Sequence, residues 1–210
     1  MHRLLLFAVL LSLTATAAPR KPRFTAAALT PRAAYLGRLE FGDGIEQKSK
    51  LFESAPPYAK WKEITLPKEA AEHEILHVAR FGEALLLVTQ WSIESGGPPH
   101  VYVRRNSRDV WAKKGELPCT VLQSVTVLKG RLKAQCIHDN LAQGTSIERE
   151  VGPLKLGVAF REKLTKLPVT VARAQGWALR WVEEDGWPTV AELSHEGQSP
   201  IKVRVRADQL

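Results

Sequence analysis

Long apolar segments are almost absent from this chain of 210 residues. The clearest run extends from Leu4 to Leu13, and it is too short to cross a bilayer as a helix, which takes about 20 apolar residues. Charged residues interrupt the rest of the sequence, so no transmembrane segment is expected. No cysteine lies near this run, so an N-terminal lipid anchor is not expected either.

The short apolar run has the features of a cleavable secretory signal. Arg3 supplies the positive charge that precedes such a run, and the Ala-Thr-Ala tripeptide ending at Ala17 is the small-x-small pattern of a cleavage site. We therefore predict a signal peptide over residues 1–17 and a secreted or periplasmic protein. A basic, proline-containing segment, 18–32, should follow, and residues 33–210 should form a single β-rich domain.

Cysteine is scarce, with Cys119 and Cys136 the only two. An even number in an exported protein predicts a disulfide. If Lys129 and Gly130 form a two-residue hairpin turn, however, Cys119 lies four residues, about 13 Å, from the position opposite Cys136. A disulfide therefore requires a bend in the chain, for which Pro118 is a plausible place.

Most patterns that carry catalysis or cofactor binding are missing. The sequence has no nucleotide-binding glycine loop, no calcium loop and no serine nucleophile elbow. Its carboxylates are scattered, and the acidic stretch 183–185 before Gly186 has the composition of a solvated turn. No catalytic residue, metal ligand or cofactor is predicted, and we expect a protein without enzymatic activity.

One motif supports an alternative hypothesis. His73, Glu74 and His77 fit the H-E-x-x-H pattern, in which a helix places two zinc ligands on one face and the glutamate acts as general base. A small secreted zinc metallopeptidase is therefore the alternative function. On a strand, in contrast, the two histidines would lie about 13 Å apart, too far to share one zinc ion. Whether residues 69–80 form a helix or a strand decides between the two hypotheses.

The charge balance is positive, which serves solubility first and also favours anionic partners. The chain carries 30 Lys and Arg against 22 Asp and Glu, a formal net charge of +8. No basic run is dense enough for a nucleic-acid arm, so nucleic acid is not an expected partner. The partner we expect is a protein or a cell-surface polymer, and an anionic partner would suit this charge.

Short alternating or β-branched runs separated by turn residues predict an all-β, mostly antiparallel protein. An aromatic followed by a proline about seven residues later recurs at intervals of about 50 residues, with copies beginning near 61, 111 and 160. A second marker, a valine-containing run closed by Gly82, Gly130 or Gly176, recurs at a similar interval. The predicted strands are 35–41, 76–80, 85–91, 101–105, 121–128, 132–138, 146–151, 154–160, 169–173, 177–182, 189–193 and 201–207.

Repeats of this length with about four short strands each are typical of β-propeller blades. A β-propeller-like fold of four such units is therefore the prediction, with a β-trefoil-type barrel or a β-sandwich as alternatives. Propellers serve many functions. The functional hypothesis is an exported, non-enzymatic β-repeat protein that acts as a binding or envelope-associated module, with its ligand unknown.

Overall fold

The computed structural model describes residues 21–42, 46–91, 97–140, 145–158, 163–169, 171–184 and 186–205. These residues form four four-stranded antiparallel sheets and one short helix. No helix among them is long and apolar enough to cross a membrane. The predicted signal peptide, residues 1–17, and the repeat start near 160 lie outside the described residues.

Sheets 1 and 2 are simple meanders in which each strand pairs with the next. Sheet 1 contains β1 (Arg23–Leu29), β2 (Ala34–Phe41), β3 (Gln47–Ser54) and β4 (Lys62–Ile64). Helix α1 (Lys68–Ala71) follows. Sheet 2 contains β5 (Glu74–Phe81), β6 (Ala84–Gln90), β7 (His100–Arg104) and β8 (Ala112–Glu116).

Sheet 3 departs from the meander. It contains β9 (Val121–Leu128), β10 (Arg131–Asn140), β11 (Thr145–Lys155) and β12 (Lys163–Lys166) in the order β11-β10-β9-β12. β12 therefore pairs with the first strand of its sheet instead of the third.

Sheet 4 is a meander again. It contains β13 (Val171–Ala174), β14 (Trp177–Glu184), β15 (Trp187–His195) and β16 (Ile201–Arg204). In β16, Ile201 and Val203 pack on the core between sheets 1 and 4, while Lys202 and Arg204 are exposed. The alternation of its sequence predicted this arrangement.

Glycines close the first hairpin of three sheets. Gly82, Gly130 and Gly176 lie between the first and second strands of sheets 2, 3 and 4, and their φ angles are 63°, 73° and 79°. Lys129 also has a positive φ of 48°, so the turn after β9 has the two left-handed residues of a tight hairpin. The glycine marker in the sequence thus corresponds to one recurring turn.

Three apolar cores hold the sheets together in the order 3-2-1-4. One core lies between sheets 2 and 3, a second between sheets 1 and 2, and a third between sheets 1 and 4. β6 serves two of them, since Leu86 and Val88 face sheet 3 whereas Leu85 and Leu87 face sheet 1. No apolar core in the described part of the chain joins sheets 3 and 4, so the ring is open there.

The predicted all-β, β-propeller-like fold class is confirmed. β1 lies within segment 18–32, which the sequence analysis placed before the β-rich domain, and it pairs with β2. Trp61 and Trp111 each directly precede the fourth strand of their sheet, which explains the recurrence of the aromatic marker.

The disulfide between Cys119 and Cys136 is present, with a Cα–Cα distance of 5.5 Å. A register shift in the β9–β10 pair places Cys136 opposite Leu122 instead of Gln123. Cys119 lies in the connection before β9, where the chain is free to turn towards β10. Both cysteines belong to the core between sheets 2 and 3.

Candidate functional site

The residues of the H-E-x-x-H motif do not lie on a helix. α1 ends at Ala71, and Glu74 and His77 belong to strand β5. Glu74 bonds to Arg23 at 3.3 Å, and His73 packs against His100 with ring centroids 4.8 Å apart. The helical premise of the zinc-peptidase hypothesis is therefore wrong. The described residues contain no group of three or more His, Cys, Asp or Glu placed to hold a metal ion.

A polar cluster does surround His100 on sheet 2. Its Nδ1 lies 3.1 Å from Glu69 and its Nε2 lies 3.2 Å from Glu116, and Lys113 contacts both carboxylates at 3.0 Å. The Tyr102 hydroxyl donates to Glu69 at 2.7 Å. Hydrogen bonds from Tyr102 and Lys113 hold the pKa of Glu69 below its usual value. Because both nitrogens of His100 face carboxylates, and Glu69 lies on α1, the cluster tethers α1 to sheet 2.

The neighbouring His73 predicts a pH dependence of stability. Burial, and then the nearby charge of His100, lower the pKa of His73 from its ordinary value of 6.5. His73 therefore binds a proton more readily in the unfolded chain than in the folded protein. The folding free energy that the neutral His73 contributes is fully present above the ordinary pKa and is lost as the pH falls below it. We expect the melting temperature to drop between about pH 7.5 and about pH 5.5, and to drop less in a His73→Gln variant. A His195→Gln variant is the control, and equal drops in all three proteins would contradict the assignment.

A cationic surface lies on the face of sheet 3 turned away from its core. Arg131 and Lys133 alternate with the buried Leu132 along β10, so both point to this face. In the strand register, Lys155 of β11 lies opposite Arg131. Lys133 lies opposite Thr126 of β9, and Thr126 in turn lies opposite Leu164 of β12. Directly paired residues share a face. We call this surface the basic face, and its cations are Lys129, Arg131, Lys133, Lys155 and Lys166.

The basic face has few acidic partners. A groove of about 630 Å³ crosses it, with Glu150 the acidic residue among its lining, and Glu150 bonds to Lys133 at 2.7 Å. Arg131 and Lys155 lie directly opposite one another, which is unfavourable for two like charges. The structure shows no ion pair within its described residues for either of them.

On sheet 4, in contrast to sheet 3, cations on the face turned away from the core are paired with carboxylates. Glu192 lies between Arg180 and Lys202 in the strand register, and it accepts hydrogen bonds from Arg180 at 2.9 and 2.6 Å. Arg204 likewise bonds to Glu184 at 2.7 Å. Arg180 and Arg204 are thus each paired with a carboxylate of sheet 4, whereas Arg131 and Lys155 of sheet 3 have no ion pair within the described residues.

A central cavity adjoins the basic face where β1, β5, β12 and β13 approach one another. Its volume is about 430 Å³, and its polar side chains are those of His77, Thr165, Lys166 and Arg173. None of its lining residues in the described part of the chain is acidic. Lys166 lines the cavity and, by the strand register, also belongs to the basic face.

The basic face could not be recognised from the sequence. The one basic segment noted in the sequence was 18–32, whereas Arg131, Lys133, Lys155 and Lys166 are dispersed along the chain and come together only through strand pairing. The alternation of Arg131 and Lys133 around Leu132, directly after a glycine turn, was the one local signal. It places two cations on one face of a strand.

Comparison with known proteins adds little to this geometry. No protein-family model matches the chain, and no curated protein matches it. Similar solved structures include the phage phi92 endosialidase (12% identity, TM-score 0.45), for which the match covers 89% of this chain and 37% of that one. The Bombyx mori GH32 beta-fructofuranosidase BmSUC1 is another (12% identity, TM-score 0.36), with 82% and 43% covered. The chain thus spans less than half of each, and likeness at this level carries no argument about function.

Proposed function

We propose that the protein is an exported, non-enzymatic binding module that attaches to a linear anionic polymer of the cell surface through the basic face. The observation that carries the proposal is the charge imbalance of this face, where five cations face the two carboxylates of Glu148 and Glu150. The predicted signal peptide and the Cys119–Cys136 disulfide support an oxidising compartment outside the cytoplasm.

The opposed pair Arg131 and Lys155 favours a ligand over a purely structural role. Like charges directly opposite in a sheet cost a few tenths of a kcal/mol to about 1 kcal/mol. A bound anion between them would turn this repulsion into two attractions. On sheet 4, where Arg180 and Lys202 flank Glu192, the same strand geometry is neutralised without a ligand.

The layout of the cations favours an extended ligand. Lys155, Arg131 and Lys166 lie on β11, β10 and β12, so they are distributed across the four strands of sheet 3. Adjacent strands are about 4.8 Å apart, which gives a track of about 14 Å across the sheet. A polymer with regularly spaced carboxylates would meet several cations in turn and reach Lys166 and Arg173 at the central cavity.

The test uses the purified protein with polygalacturonate, a linear polymer of carboxylated sugars, and with neutral dextran. We expect binding to the polyanion alone, measured by calorimetry. Because several cations release counterions together, affinity should fall on the order of 100-fold between about 50 and about 300 mM NaCl. Absence of binding, binding independent of salt, or a preference for single-stranded DNA over polygalacturonate would each contradict the proposal.

A further inference from the structure

A second groove lies between the outer strands of sheets 1 and 2, away from the basic face. Its volume is about 460 Å³, which is in the range of pockets for small molecules. The lining comes from β3, β4, the connection to α1, the end of β7 and the β7–β8 turn. Its apolar part consists of Ile64, Leu66, Pro67, Val110 and Trp111, and Val110 is 87% exposed.

A closed hydrogen-bond network lies beside this groove and reaches its lining through Glu53. The buried Tyr35 hydroxyl donates to Glu53 at 2.7 Å, and Arg80 donates to Tyr35 at 2.7 Å and to Glu53 at 3.1 Å. Burial and the hydrogen bond to Glu53 raise the pKa of Tyr35, so its phenol stays protonated. The carboxylate of Glu53, which lines the groove, is therefore already paired with the charge of Arg80.

Arg104 adds a second guanidinium beside this network. It lies over the Trp111 ring, 5.2 Å from the centroid, and the indole is itself fixed by donating to Thr65 O at 2.9 Å. The Nε of Arg104 is shielded from solvent and has no hydrogen-bond partner within the described residues. Burial lowers the pKa of Arg104, which reflects the cost of keeping its charge there.

The stacking contact leaves the hydrogen-bonding edge of Arg104 available. A cation–π contact uses the face of the guanidinium plane, whereas its N–H donors lie in the plane and match the two oxygens of a carboxylate. With Arg80 and Arg104 beside the single carboxylate of Glu53, this side of the groove has an excess of one positive charge.

We propose that this groove binds a small carboxylic acid with an apolar body, whose carboxylate pairs with Arg104 and whose body packs on Trp111 and its apolar neighbours. The rim carries the exposed carboxylates of Glu63 and Asp109, with Lys62 as a further cation. These acidic groups disfavour a long polyanion. The groove is therefore a site distinct from the basic face, and its occupancy does not depend on the polymer.

The test titrates the protein with 3-phenylpropionate and with 3-phenylpropionamide, which has the same shape without the charge. Binding is followed by calorimetry and by the NMR signal of the Trp111 indole N–H, assigned through a Trp111→Phe variant. We expect the acid to shift this signal and the amide to bind at least about tenfold more weakly. Equal affinity for both, or saturation without a shift of the Trp111 signal, would overturn the proposal.

Substitutions at position 104 test whether Arg104 binds the carboxylate of the ligand. Arg104→Gln should weaken binding of the acid about tenfold or more, and Arg104→Lys, which keeps the charge but loses the planar fork, should restore part of it. Arg105→Gln is the matched control, because Arg105 is exposed and does not line the groove. If Arg104→Gln unfolds, the indole signal of the wild type still decides the question. Wild-type affinity in a folded Arg104→Gln variant would overturn the assignment.

Discussion

Reversing Arg131 and Lys155 to glutamate is expected to weaken binding of polygalacturonate by on the order of 100-fold or more. Each reversal replaces one attraction with one repulsion, so the pair changes the charge of the basic face by four units. A cation next to an anionic surface contributes about 1 kcal/mol, and each 1.4 kcal/mol is a factor of ten in affinity. Calorimetry at low salt, where screening is weakest, is the appropriate measurement.

The control removes the same charge elsewhere. Lys48 and Lys60 are exposed residues of sheet 1 and of the loop after β3, so Lys48→Glu with Lys60→Glu changes the net charge equally and leaves sheet 3 intact. We expect this control to lose little affinity. Similar losses in both double variants would mean that binding follows the net charge of +8 instead of the basic face.

The single Lys155→Glu variant separates binding from folding. The new carboxylate would lie opposite Arg131 and should stabilise the β10–β11 pair by up to about 1 kcal/mol. The same change should reduce affinity for the polyanion. Stability and binding would thus move in opposite directions, which a damaged fold cannot produce.

The sequence identified those parts of the fold that depend on local turns. Gly82, Gly130 and Gly176 close hairpins that need a positive φ, and apolar alternation on both sides of each turn defines the flanking strands. The strand predicted over 121–128 has the observed bounds of β9. Local chemistry was sufficient there because the turn fixes the register of both strands.

Five strands were missed: β1, β4, β8 and β12, which lie at the edges of their sheets, and β3, which lies inside sheet 1. β4, β8 and β12 have the sequences KEI, AKKGE and KLTK, which are short and polar, and most of their described side chains are exposed. Each of β4, β8 and β12 has only one partner strand and buries few apolar side chains, so its sequence resembles that of a loop. β12 pairs with β9, which is distant from it in sequence, so no local sequence pattern could predict this pairing.

The candidate site depends on the same long-range pairing. Lys155 reaches Arg131 only because β11 pairs with β10 in a register that shifts between Leu132 and Ala134. The H-E-x-x-H spacing failed for the reverse reason. Its local sequence is compatible with a helix, but Ile75 and Val78 are needed in the core between sheets 1 and 2, and they fit there as part of a strand.

Removing the disulfide is expected to cost about 3 kcal/mol of unfolding free energy. The bond closes a loop with a sequence separation of 17, and in the chain-entropy model a loop of this length restricts the unfolded chain by about that amount. A Cys119→Ala, Cys136→Ala double variant tests this in a urea titration. Both side chains are buried, so the variant also loses some packing between sheets 2 and 3.

Reduction provides the matched comparison, because it opens the disulfide without removing either sulfur. Reduced wild type should unfold at a urea concentration between those of the oxidised protein and the double variant, and reductant should not affect the variant. Equal midpoints for oxidised and reduced wild type would show that the bond adds no stability.

Because Cys136 and Arg131 share strand β10, unfolding of this strand would also disorder the basic face. We therefore expect the variant to bind polygalacturonate normally at low temperature and to lose binding together with its fold on heating.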